Sequence, residues 1–118
     1  MRIRRVVPDI QTDRMEESRA FYAGVIGMRE TMDLGWIVGF TSESNATAQL
    51  QLLTSDASAP LPPQVTIETD DVDGAWQRAT KGGCEIAYPL TTEPWGVRRF
   101  FVRDPNGVVI NVMSHEGT

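Results

Sequence analysis

The chain has 118 residues, enough for one domain and too few for a second full-sized one. With 41% hydrophobic and 23% charged residues it is neither disordered nor collagen-like, and no apolar run approaches the ~20 residues of a membrane span. Eleven basic against 16 acidic residues leave a net charge of −5, which argues against a broad basic face for nucleic acid or anionic lipid.

The single cysteine, Cys84, rules out an internal disulfide and a multi-cysteine zinc site, fits a reducing compartment, and is expected half-buried. The basic opening Met1–Arg5 runs into Pro8 and Asp9 with no apolar core behind it, unlike a secretion signal. A cytoplasmic protein is expected.

In chain order, residues 6–12 read as a strand, with Pro8 at an edge or start. A helix follows, with Asp13 as N-cap, Glu16 three positions on, and Met15, Ser18, Tyr22 and Val25 at helical spacing. Gly24 and Gly27 mark its end, and short strands are predicted over 30–32, 36–41 and 48–53. The segment 54–63, rich in Ser, Ala and Pro, reads as a linker. Beyond it, 64–69 alternates as a strand, and Asp70 or Asp71 caps a helix carrying Val72, Ala75, Trp76 and Ala79, which ends at Lys81, Gly82 and Gly83. Strands follow over 85–90, 97–103 and 108–114, the last two joined by the tight turn Asp104–Gly107. The chain therefore reads as one βαβββ unit written twice, module 1 over 1–55 and module 2 over 64–116, within a single domain 1–118. Neither module should stand alone at under about 60 residues. With the helices on one face of each sheet, the free faces can enclose a cleft for a ligand.

These residues resemble the vicinal oxygen chelate superfamily, which includes glyoxalase I, extradiol dioxygenases and bleomycin-resistance proteins. The likeness rests on Ser18, Phe21, Tyr22 and Gly27, on Asp70 to Asp73, and most specifically on the run from Pro94 to Gly107 followed by Val108 to Val112. It implies an α+β fold of two tandem βαβββ modules with a cleft between curved mixed sheets. Metal-dependent members place His or Glu ligands on the first and last strands of the modules. The corresponding positions here are Val7, Gln51, Gln64 and Asn111. Valine has no donor, and three neutral amides are far too weak for a divalent transition metal. No metal and no cofactor is therefore expected.

If Val7, Gln64 and Asn111 face the cleft, as the resemblance implies, strand alternation turns Asp9 and Gln11, Thr66 and Glu68, and Val109 and Met113 toward it as well. Gln49 and Gln51 fall inward while Leu50 and Leu52 meet the helices, and Val108, Ile110 and Val112 are left for the core. The family pattern adds Trp36, Val38 and Phe40, and Arg99 with Phe101; Trp95 in the neighbouring loop is either a lid or a plug. The expected ligand-binding set is Asp9, Gln11, Trp36, Phe40, Gln51, Gln64, Glu68, Trp95, Arg99, Phe101, Asn111 and Met113. It suits a small, partly planar, polar organic molecule. No nucleophile and base pair stands out, so no catalytic residue is assigned. The reading is metal-independent binding, resembling the bleomycin-resistance branch, whose likeness also implies a homodimer. The alternatives are a glyoxalase-like lyase or isomerase, or a dioxygenase-type enzyme, with a non-standard site, or an interaction module with no ligand.

Overall fold

The computed structural model describes residues 1–116. Its strands are β1 (Ile3–Gln11), β2 (Arg29–Asp33), β3 (Ile37–Thr41), β4 (Gln49–Leu53), β5 (Val65–Thr69), β6 (Ile86–Thr92), β7 (Val97–Arg103) and β8 (Val109–His115). The helix α1 (Met15–Arg19) runs on into a π-helical turn, Ala20–Val25, and α2 spans Val72–Lys81. The mixed α+β class and the order βαβββ, twice over, are as expected. The chain divides into two compact units, Val7–Pro62 and Met1–Val6 together with the chain from Pro63 on. The break within β1 assigns the first six residues to the second-half unit.

In Val7–Pro62 the strands lie in the order β2-β3-β4-β1. β4 is parallel to β1, with Asp9 beside Gln51, and β3 is antiparallel to β4, with Gly39 beside Gln51 and Phe40 beside Leu50. Val38, Phe40 and Leu52 form a buried cluster joined by Met15, Tyr22, Met28 and Leu50. This is the helix side, where the Tyr22 and Phe40 rings lie 6.0 Å apart.

Two expectations for the first helix change. Its N-cap is Arg14 with no side-chain cap, and Asp13 is not used; the Thr12 hydroxyl instead accepts from the Arg14 amide at 2.9 Å. The capping pattern fails because the Thr12 side chain already satisfies a backbone donor at this end. The wider π turn, in which the Ile26 amide donates to the Phe21 carbonyl, breaks the 3.6-residue rhythm after Tyr22. Val25 consequently leaves the packed face and is 73% exposed.

In the other unit the order is β1-β5-β8-β7-β6. The Asp70 amide donates to the Arg2 carbonyl, and the Arg2 amide to the Asp70 carboxylate at 2.8 Å, tying the first residues to the end of β5. α2 is capped by Asp71, whose carboxylate accepts from the Gly74 amide at 3.0 Å, and ends with Arg78 and Lys81 in its last turn. It packs on the face carrying Phe100, with the Trp76 and Phe100 rings 5.2 Å apart. One helix of ten residues covers only part of this sheet, so Ile110 and Val112, expected in the core, are half-buried. Their alternates Val109, Asn111 and Met113 are the buried ones. Cys84 is exposed rather than half-buried.

Candidate functional site

The helix-free face of the unit from Pro63 on gathers most of the polar and aromatic side chains expected in a site. Register sets them in two rows. Thr66 of β5 lies beside Asn111 of β8, Asn111 beside Phe101 of β7, and Phe101 beside Tyr88 of β6. One step along the strands, Glu68, Met113, Arg99 and Thr91 follow in the same way. Residues two apart share a face, so Arg99 and Phe101 lie here while Phe100 faces α2.

The centre of this face is a buried ion pair. The Arg99 and Glu93 side chains are 4% and 3% exposed. Arg99 Nε and Nη2 donate to Glu93 Oε2 at 2.7 and 2.6 Å, and the Tyr88 hydroxyl donates to the same oxygen at 3.2 Å. Glu93 lies outside β6, at the entrance to the turn into β7. Its amide donates to the Val97 carbonyl and its own carbonyl accepts from Gly96, a turn that needs the positive φ of Gly96, +94°. Three rings surround the guanidinium, whose central carbon is 4.8 Å from the ring centre of Phe101, 5.1 Å from Trp95 and 5.4 Å from Tyr88. A buried cation is tolerated when it is paired and when π faces replace lost water. Sequence reasoning missed Tyr88 and Glu93. The opposite charges six residues apart across the Pro94 to Gly96 turn were the available signal.

Beside this pair, Asn111 is 8% exposed. Its Nδ2 donates to the Thr66 hydroxyl oxygen at 3.1 Å, while its Oδ1 is enclosed without a hydrogen-bond partner. At the rim, Glu68 accepts from Arg5 Nε and lies 2.9 Å from His115 Nδ1. Burial pushes the Glu68 carboxyl up, but hydrogen bonds from His115 and Arg5 and their charges outweigh it and hold it below the usual glutamate value. Gln64 is exposed, with its Oε1 accepting from the Val109 amide at 3.0 Å.

The remaining expected residues belong to Val7–Pro62. Asp9, 7% exposed, and half-buried Gln51 are register partners, and Gln11 is exposed. Trp36 precedes β3, its carbonyl accepting from the Thr54 amide. Phe40 and Val38 are corrections: they pack on the helix side against Tyr22 and Met15, because β3 shares the phase of Leu50 and Leu52. It is Gly39 that lies beside Gln51.

The four positions where a metal would be held do not fit one. Val7 is a fully buried aliphatic, the Gln64 oxygen is engaged by a backbone amide, and Gln51 and Asn111 offer only neutral carbonyls. Among the described residues no three His, Cys, Asp or Glu side chains are grouped to hold an ion. The described helices are also too short or too polar to cross a membrane.

Fold and site thus define a doubled βαβββ protein with an aromatic and polar helix-free face. The sequence matches the model of the Glyoxalase/Bleomycin resistance protein/Dioxygenase superfamily over residues 2–112, and the chain belongs to that superfamily. No curated protein matches the sequence. Among solved structures, a superfamily member from Vibrio splendidus 12B01 superposes with a TM-score of 0.74 at 19% identity, over 96% of this chain and 99% of that one. A Legionella pneumophila protein described as an NAD-dependent benzaldehyde dehydrogenase gives 0.74 at 14% identity, over 94% and 99%. The Mn(II)-bound glyoxalase of Novosphingobium aromaticivorans gives 0.65 at 23% identity, over 95% of this chain and 38% of that longer one. Such different descriptions on one scaffold show a shared fold alone.

Proposed function

We propose that the chain binds a small, partly planar, polar organic molecule without a resident metal, on the helix-free face built from β5, β8, β7 and β6. The observation that carries this reading is the juxtaposition of Phe101, Tyr88 and Trp95 with the enclosed amide of Asn111. Aromatic rings beside a few oriented polar groups are what such ligands require. The Arg99–Glu93 pair holds the rings in place and is neutral overall, so it serves as a scaffold rather than as an acid and base. Val7, Gln51, Gln64 and Asn111 offer no imidazole or carboxylate for a divalent ion such as the manganese named for the Novosphingobium protein. Sequestration of a ligand, with the chain working as a cytoplasmic homodimer, belongs to the same reading.

Native mass spectrometry of the purified protein, followed by tryptophan fluorescence titration against aromatic amides and amines, tests the proposal. A saturable change that disappears in Trp95→Phe and persists after treatment with a chelator is the expected outcome. Binding that requires one equivalent of divalent ion overturns it.

A further inference from the structure

Among the described residues of this face, Asn111 carries an enclosed polar atom whose role is still open. Its Nδ2 is committed to Thr66 Oγ1, which fixes the amide and leaves Oδ1 as an acceptor. Its strand neighbours on the same face, Val109 and Met113, have no hydrogen to give, and the residue beside it on β7 is Phe101. Native proteins pair almost all of their buried polar groups, because an enclosed acceptor loses its water and gains nothing. A sequence that keeps an amide where an isosteric leucine would fit has a local inconsistency of the kind found at functional positions.

We propose that the ligand of this face carries an N–H or O–H donor on the edge of its planar part, and that Asn111 Oδ1 selects for that donor. The inference rests on the binding reading above and names its chemistry: lactams, aromatic amines, phenols and azoles with a free N–H. The amide oxygen repels carboxylates and phosphates, and Arg99 offers them little compensation, because Glu93 already neutralises it at 2.6 Å. Donor recognition also explains an amide where an ion would need a carboxylate. A carbonyl oxygen is a good partner for a hydrogen and a poor one for a divalent cation.

The experiment compares probe pairs that differ only in the donor: 2-pyridone with N-methyl-2-pyridone, indole with 1-methylindole, and phenol with anisole. Affinities are measured by isothermal titration on the full chain. The wild type is expected to prefer the donor member by at least ~10-fold, since an unpaired buried acceptor penalises the methylated twin. The preference is expected to vanish in the double variant Thr66→Val/Asn111→Leu, because the selecting acceptor leaves together with the hydroxyl that anchors its amide. Equal binding of the twins overturns the donor inference and leaves the binding reading standing. A lower midpoint in the double variant together with an unchanged probe preference assigns Asn111 to structure alone and overturns it as well. If neither member of any pair binds, the binding reading falls and this inference with it.

Discussion

In Val7–Pro62 the buried aromatic of the sheet, Phe40, looks toward the helix, and the helix-free face carries Gly39, Thr41, Gln51 and its register partner, the buried Asp9, with no aromatic ring from these strands. In the unit from Pro63 on, two buried aromatics stand back to back on β7. Phe100 meets α2, and Phe101 joins Tyr88, Trp95, Arg99 and Asn111 on the helix-free side. The order of elements is the same in both. The difference teaches that a repeated topology fixes which positions can share a face, while the chemistry of a face can be concentrated in one copy.

The largest expected break in this contrast comes from Arg99→Met, which leaves the Glu93 carboxylate buried without its cation and should cost about 3–5 kcal/mol in denaturant unfolding. The same substitution at the partly exposed neighbour Arg98, paired with Asp73 at 2.9 Å, should be nearly neutral. Phe40→Ala should cost about 3–5 kcal/mol through the cavity it opens, while leaving ligand affinity at the other unit unchanged. Affinity that falls with it, measured by titration below the unfolding range, would return Phe40 to the binding set. At the helix ends, Asp71→Ala should lower stability by about 1 kcal/mol, as loss of a working N-cap does, whereas Asp13→Ala should have no measurable effect. The smallest expected effect is acid sensitivity. Because Glu68 is held below its ordinary value of 4.5, its contribution is present above that pH and is lost as pH falls through the lowered value. Glu68→Gln should flatten that limb of the stability profile measured by thermal unfolding from pH 3 to 7.

Much of this was legible in the residues. Period-two alternation in 97–103 and 108–114 separates Arg99 and Phe101 from Phe100, and Asn111 from Ile110, in the sequence alone. The turn Asp104–Gly107 and the helix over 72–81 carry their own punctuation. What was not legible has identifiable causes. Phe40 was placed by analogy rather than by its pairing with Leu50. Tyr88 stands beyond a register shift in β6, where simple alternation loses count. Glu93 reaches its partner through a turn, a conformation that alternation does not describe. Val25 is displaced by a π turn that no residue pattern announced. Burial was misjudged on β8, since the extent to which one short helix shields a sheet depends on tertiary geometry.

The assignment of Met1–Val6 to the unit that resumes at Pro63 bears on how the chain assembles. Arg2 must find Asp70, and Arg5 must find Glu68, at sequence separations of 68 and 63. These are long-range closures, entropically costly and late in a folding sequence dominated by local hairpins such as β7–β8. Residues 1–6 therefore dock on the second-half unit only after β5 has been made, whatever has formed before it.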